Sequence, residues 1–225
     1  MEKSTDDFNK MLCSQLQVAR LKMLKYFDNE VIDRLLNSID NYTDQQTKKI
    51  SNEYQEIQLK PPHEETDKEF HLGMLDDENF FLDEVKKLSY ELAIIALYKK
   101  LEITTKRVVK AAYSDISEKK LSKLSNIENL EKYLEDKGIN IKSFKCYNAI
   151  NEVRLLNNTI KHSGIVGGQL AAYSGWNEGD SLENYDIKTA YLRLAPLCFR
   201  YIEELIDNIL QKLPKSNYAE QNQTS

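Results

Sequence analysis

Residues 80–96, FFLDEVKKLSYELAIIA, decide the fold class of this chain. Apolar residues recur there every three or four positions, as they do along one side of an α-helix. They are Phe80, Phe81, Val85, Leu88, Leu92, Ile95 and Ala96. Acidic residues from Asp76 onwards precede the pattern and suit the positive end of a helix dipole. The pattern predicts a long helix that begins at Asp76 and, being apolar around much of its surface, lies at the centre of the protein.

The helical spacing recurs through nearly the whole chain of 225 residues. Glycine (7 residues) and proline (4 residues) are scarce, so few positions interrupt a helix. The 41% share of hydrophobic residues is enough to bury a substantial core. The composition therefore predicts an all-α protein.

The N-terminal part, residues 1–58, is predicted to form a pair of helices or an arm, with Asn29 as the N-cap of the second helix. Residues 59–75 follow and contain Pro61 and Pro62. Proline lacks a backbone N–H and disfavours helix in the residue before it. We therefore predict a linker over 59–75.

Residues 76–213 are predicted to form a bundle of four main helices, so that the N-terminal pair is a helical extension of it. After the helix at Asp76, a second is capped by Ser125 or Asn126 and stopped by Gly138. A third begins at Ser143 and stops at Gly164, and a fourth begins near Asp186. The polar residues 214–225 are predicted to be a disordered tail.

The charge balance limits the binding partners. Acidic residues (36) outnumber basic ones (31), giving a net charge of −5. This mild acidity provides no attraction to nucleic acid or to anionic lipid over the whole surface, so RNA binding would need a local site.

The cysteines and histidines form no predicted metal site. Cys13, Cys146 and Cys198 lie far apart in the sequence, and the last two fall on apolar stripes typical of small buried side chains. His63 and His71 lie among acidic residues, but their spacing matches no ligand pattern and favours a solvated linker. We predict no metal and no other cofactor.

Nothing in the sequence predicts export or membrane insertion. The N-terminus lacks the basic and then apolar order of a signal peptide. The longest wholly apolar run, Leu92 to Tyr98, is too short to cross a bilayer. The sequence predicts a cytoplasmic protein.

The strongest candidate for chemistry is the helix that contains residues 151–162, NEVRLLNNTIKH. Arg154, Asn158 and His162 are spaced i, i+4 and i+8, so they share one side, together with Asn151 and opposite the apolar stripe. The alternative is a solvated face on which Lys161 and His162 merely stabilise the negative helix end. Repeated asparagines, which have poor helix propensity, favour a functional face.

Two segments resemble the HEPN (higher eukaryotes and prokaryotes nucleotide-binding) superfamily. They are Leu97-Tyr98-Lys99-Lys100-Leu101-Glu102 and Glu152-Val153-Arg154-Leu155-Leu156-Asn157-Asn158-Thr159-Ile160-Lys161-His162. The resemblance covers roughly residues 76–213. It implies a helical bundle that dimerises through the helix with the Arg…His motif, and a metal-independent endoribonuclease of the toxin–antitoxin or phage-defence type.

The resemblance also implies roles for individual residues. Arg154, His162 and Asn158 would be catalytic, and Lys161, Asn151 and Asn157 would contact RNA. RNA would then be the substrate, a second copy of the chain would complete a homodimer, and an antitoxin or other protein would be a further partner.

The motif departs from the family signature. In that signature a polar residue commonly follows the Arg, and four to six residues separate the Arg from the His. Here Leu155 follows the Arg, and seven residues separate Arg154 from His162. This spacing favours the alternative of a non-catalytic HEPN-like module for dimerisation, nucleotide binding or partner recognition. A purely structural helical scaffold is the third hypothesis.

Overall fold

The computed structural model describes residues 2–59 and 65–213, and within them the protein is all-α. The helices are α1 (Glu2–Leu24), α2 (Glu30–Gln58), α3 (Glu65–Ala112), α4 (Glu118–Lys123), α5 (Ile127–Glu135), α6 (Tyr147–His162), α7 (Gly168–Ala171) and α8 (Ile187–Lys212). The only β-type pairing in the described residues is an isolated bridge between Ile165 and Ser181. No helix in these two ranges is both long and apolar enough to cross a membrane.

The chain divides into two compact units, each built from separate stretches of sequence. Unit 1 takes the described parts of Met1–Asp28, Tyr98–Arg154 and Leu194–Ser225. Unit 2 takes those of Asn29–Leu97 and Leu155–Arg193. Helix α1 thus belongs to unit 1 and α2 to unit 2, so the predicted N-terminal pair is not a unit of its own.

Unit 1 is held together by side chains that α3, α5, α6 and α8 bury. Fully buried examples are Val108, Leu134, Val153, Leu194, Cys198, Ile202 and Leu205. Helix α5 begins where predicted, because the Asn126 side chain accepts hydrogen bonds from the N–H groups of Glu128 and Asn129. Cys146 and Cys198 are buried free cysteines, as predicted from their place on apolar stripes.

Unit 2 packs α2 against the first part of α3. Ile50 on α2 and Leu75 and Leu82 on α3 form a buried cluster that Tyr54 and Ile57 extend. This packing explains why α3 begins at Glu65 rather than at Asp76. Residues 65–75, which we assigned to the linker, are helical, and Leu75 gives them a buried anchor. His71 lies in this helical stretch, whereas His63 is outside the described residues, as is the predicted tail over 214–225.

The predicted core face of α3 is wrong. Phe81, Leu88 and Leu92, which we expected at the centre, are 65%, 55% and 54% exposed. The residues that unit 2 buries instead are Leu82, Tyr90, Ala93, Ile94 and Leu97. The sequence of α3 contains two apolar rows on different sides of the helix. The row with Leu82, Tyr90 and Ile94 is the one that the structure buries.

One further helix boundary differs from the prediction. Helix α6 begins at Tyr147, because Ser143 belongs to a 3-10 turn, Ile141–Ser143, whose N-cap is Asn140. The short helix α4 was not predicted. The start of α8 near Asp186 is confirmed, since the Asp186 carboxylate accepts hydrogen bonds from the N–H and the hydroxyl of Thr189.

A polar network joins three helices within unit 2. Asp40 on α2 accepts hydrogen bonds from the Tyr90 hydroxyl on α3 and the Lys188 ammonium on α8, each at 2.7 Å. Partial burial alone would raise the pKa of Asp40, but these two donors outweigh it and hold the pKa below its ordinary value. The charged form of Asp40 therefore stabilises the folded state.

Asp40→Asn is expected to lower the free energy of unfolding by about 1–3 kcal/mol near neutral pH. Because the folded-state pKa is lowered, the stabilisation is present above the unfolded-state pKa and is lost as the pH falls through the folded-state value. Urea unfolding at about pH 7 and at about pH 2 measures this effect. The free energy of unfolding should differ between the variant and the wild type only at the higher pH. Asp44→Asn, which removes an exposed partner of Lys86, is the control and should change stability by less than about 1 kcal/mol. An equal Asp40→Asn effect at both pH values would contradict the assignment.

Candidate functional site

Helix α6 carries every residue that the sequence assigned to the site. It ends where predicted, because Gly164 adopts a positive φ of 62°, which L-residues disfavour, and its N–H donates to the Thr159 carbonyl at 2.9 Å. Helix α6 contributes its residues up to Arg154 to unit 1 and its residues from Leu155 onwards to unit 2.

In unit 1, Arg154 is half-buried and oriented by its neighbour one turn back. Its Nε donates a hydrogen bond to Asn151 Oδ1 at 2.9 Å. No described carboxylate forms an ion pair with Arg154, and its terminal nitrogens have no hydrogen bond to the part of the chain that the structure describes. The guanidinium is thus held at one nitrogen while two remain able to bind an anion.

Arg154 lies at a small cavity of about 30 Å³, large enough for about one water molecule. Other residues that line this cavity include Tyr98, Glu102, Ser125 and Tyr201. The Tyr201 hydroxyl is buried without a hydrogen-bond partner in the described structure, and burial raises its pKa far above the ordinary value. Tyr201 is therefore a neutral wall of the cavity.

Glu102 supplies negative charge to the same cavity. Burial would raise its pKa, but hydrogen bonds from Lys106 at 2.7 Å and from Ser125 at 2.8 Å lower it below the ordinary value. Glu102 is consequently ionised at neutral pH. Its negative charge at the cavity that Arg154 also lines would oppose an incoming phosphate.

In unit 2, the last turns of α6 present polar side chains to solvent. Asn158, Lys161 and His162 are all exposed. His162 has no hydrogen bond to any residue in the described ranges, so none of those residues fixes the orientation of the imidazole. An exposed, unoriented histidine can exchange protons but is not yet positioned for general acid–base catalysis.

Asn157 requires a correction. We placed it among the RNA contacts, but its residue is only 1% exposed. Its Nδ2 donates to Asn158 Oδ1 at 3.1 Å, while its own Oδ1 is buried without a partner in the described structure. Asn157 therefore positions Asn158 and cannot reach RNA itself. Leu155, which helical spacing places between Asn151 and Asn158 on the polar side, is also buried, at 8% exposure.

Sequence reasoning missed the residues that surround Arg154. Tyr98 and Glu102 lie in the first segment on which the family resemblance rests, but no role was assigned to either. Ser125 was considered only as a helix cap. The spacing of Tyr98, Glu102 and Thr105 could have indicated a shared site, because it places all three on one side of α3.

The described residues contain no group of three or more His, Cys, Asp or Glu side chains that could hold a metal ion. In comparisons with known proteins, no protein-family model, no curated protein and no solved structure matches this chain.

Proposed function

We propose that this protein is a HEPN-like, metal-independent endoribonuclease that acts in the cytoplasm as a toxin or phage-defence effector. The observation that carries the proposal is the state of Arg154. Asn151 orients the guanidinium by accepting a hydrogen bond from Arg154 Nε. The terminal nitrogens of Arg154 stay available for a phosphate. The same continuous helix exposes Asn158, Lys161 and His162.

The residue types suit cleavage of RNA without a metal. His162 would remove the proton from the ribose 2′-OH, or protonate the leaving 5′-oxygen, because an imidazole can serve as either a general base or a general acid. Arg154 would stabilise the negative charge that develops on the phosphate. Asn158 would orient the phosphate or the imidazole, and Lys161 would contribute positive charge.

We further propose that the active form is a homodimer in which two α6 helices meet. The support is that His162 is exposed and has no orienting partner among the described residues, so a second copy would supply one. The family resemblance implies the same arrangement.

Incubation of the purified protein with total RNA in excess EDTA tests the proposed activity. The expected result is cleavage at the same rate with and without EDTA, because no step uses a metal ion. The control for contaminating nucleases is Arg154→Ala, purified in parallel by the same procedure as the wild-type protein. Intact RNA after prolonged incubation, or cleavage that EDTA abolishes, contradicts the proposal.

The second candidate is a non-catalytic HEPN-like module for dimerisation, nucleotide binding or partner recognition. It is favoured by the position of the ionised Glu102 at the Arg154 cavity, which opposes phosphate binding. On this observation the module would act by dimerisation or partner recognition and would not cleave RNA. Growth on induced expression separates the two candidates. An RNA-cleaving toxin slows growth only with Arg154 present, whereas a binding module has the same effect in wild type and Arg154→Ala.

A further inference from the structure

Helix α3 carries an apolar stripe that unit 2 does not bury. Met74, Phe81 and Leu88 are spaced by seven residues and are 56%, 65% and 55% exposed. Phe70 and Leu92 extend the stripe at its two ends and are equally exposed. Residues at this spacing lie along one side of a helix and form the seam of packed helix pairs. An exposed apolar stripe of this length indicates an interaction surface.

A row of carboxylates runs beside the stripe. Asp77, Glu84 and Glu91 repeat with the same spacing of seven residues. Between residues 67 and 97 the only lysine or arginine residues are Lys68, Lys86 and Lys87, and His71 is the only histidine. Lys68 donates to the Gln58 carbonyl and Lys86 pairs with Asp44, so both are engaged elsewhere in unit 2.

Phe81 and Leu88 of the stripe, with Glu84 and Glu91 of the carboxylate row, line a cleft of about 480 Å³ within unit 2. Its other wall is formed by the residues that follow α6 and by Ser181, Leu182 and Glu183. Backbone hydrogen bonds fix this wall, among them Leu182 N–H to the Gly164 carbonyl at 2.8 Å. Ile165 adds an apolar side chain that is 46% exposed, and Glu183 adds a further carboxylate.

The charge inside the cleft is unbalanced. Glu84, Glu91 and Glu183 line it, against a single ammonium from Lys87. Burial raises the pKa of Glu91, and the charges of Glu84 and Glu183 raise it further, with only Lys87 acting in the opposite direction. A cation entering the cleft would relieve this repulsion.

We propose that the α3 stripe and its cleft bind a basic amphipathic helix of a partner protein. The apolar side of that helix would cover Met74, Phe81 and Leu88, and a lysine or arginine at its edge would enter the cleft between Glu84 and Glu91. This recognition combines apolar burial with charge complementarity, the mode by which amphipathic helices occupy grooves. The proposal concerns a surface other than α6 and stands whether or not the protein cleaves RNA.

A second copy of α3 is a poor occupant of the same surface. In a symmetric antiparallel pair, the row with Asp77, Glu84 and Glu91 would face itself. In a parallel pair it would face the other flank of the stripe, which carries His71, Glu78 and Val85 and no lysine or arginine. Neither arrangement places a lysine or arginine against the carboxylates, and like charges across a helix pair are destabilising.

The test uses two fluorescein-labelled synthetic helices of three heptads with the same leucine seam. One carries lysine at the flanking positions and the other glutamate. Fluorescence anisotropy with the full-length protein is expected to show at least about tenfold tighter binding of the lysine peptide. The double variant Glu84→Lys with Glu91→Lys should reverse this preference, and Leu88→Asp should weaken binding by about tenfold or more.

Three controls make the result specific. A scrambled lysine peptide of the same composition should bind weakly, because it has no apolar side. Val31→Ala alters an exposed apolar residue on α2 and should leave binding unchanged. Thermal unfolding of each variant confirms that it is folded, which these exposed substitutions should allow.

Several results would overturn the proposal. These are equal affinity for the two peptides, an unchanged preference in the double variant, and a dimer in sedimentation analysis that Phe81→Lys dissociates. The last result would make a second copy the occupant of the stripe. Loss of RNA cleavage in α6 variants would not bear on any of them.

Discussion

His162→Ala is expected to lower the rate of RNA cleavage by about 10²–10⁴-fold, the usual contribution of a general acid or base. Arg154→Ala should lower it by about 10²–10³-fold, because the phosphate then loses its main source of positive charge. Arg154→Lys keeps the charge but loses the planar fork that Asn151 holds at one nitrogen. We therefore expect this variant to recover little of the lost rate. The measurement is single-turnover cleavage of a labelled RNA with enzyme in excess.

Another asparagine of α6 serves as a matched control. Asn148 is exposed on the same helix but has no assigned role, so Asn148→Ala should cleave RNA at the wild-type rate. Asn157→Ala is not a control, because it removes a buried side chain that positions Asn158, and it should reduce both stability and the rate of cleavage. Equal rates for wild type and His162→Ala would rule out the assigned role of this histidine.

Leu82→Ala is expected to reduce the free energy of unfolding by about 2–5 kcal/mol, whereas Leu88→Ala should change it by less than about 0.5 kcal/mol. Both leucines lie within α3, so the difference in helix propensity cancels between the two variants. Leu82 is 3% exposed and packs with Ile50 and Leu75, while Leu88 is 55% exposed. The pair therefore measures which side of α3 faces the core.

Urea unfolding of the two variants provides the comparison. If Leu88→Ala destabilises the protein as strongly as Leu82→Ala, the exposed stripe is buried in solution. That result would restore the core face that the sequence predicted and would remove the basis for the docking surface. The peptide-binding experiment would then fail for the same reason, independently of any activity on RNA.

The helical content and most helix ends were predictable because they depend on local chemistry. Asn126 caps α5 with its own side chain, Asp186 caps α8 in the same way, and Gly164 ends α6 through its backbone conformation. Each of these signals acts within a few residues. An all-α assignment follows from them without knowledge of the packing.

The choice of buried face could not be predicted in the same way. Helix α3 has apolar residues on two sides, and only the contact of Leu75 and Leu82 with Ile50 on α2 decides between them. The same limit applies to α6. A helical wheel places Leu155 with the polar residues, yet the surrounding structure buries it, and it also buries Asn157. Periodicity indicates which residues share a side, but tertiary packing determines which side is covered.

The surroundings of Arg154 depend on residues far apart in the sequence. Glu102 on α3 and Ser125 before α5 are joined by a hydrogen bond of 2.8 Å, and Tyr201 on α8 lines the same cavity. Sequence reasoning identified Arg154 from its residue type and position on α6. The carboxylate that limits its use as a phosphate ligand became apparent only from the fold.

The chemical nature of the RNA ends tests the central claim most directly. A labelled RNA is digested in EDTA, and the products are separated and tested for 2′,3′-cyclic phosphate and 5′-hydroxyl ends. Attack by the 2′-OH, with His162 as the acid or base, predicts these ends for the wild-type protein and a rate of product formation about 10²–10⁴-fold lower for His162→Ala. A product with 3′-hydroxyl and 5′-phosphate ends, or equal rates of product formation for the two proteins, would contradict the account.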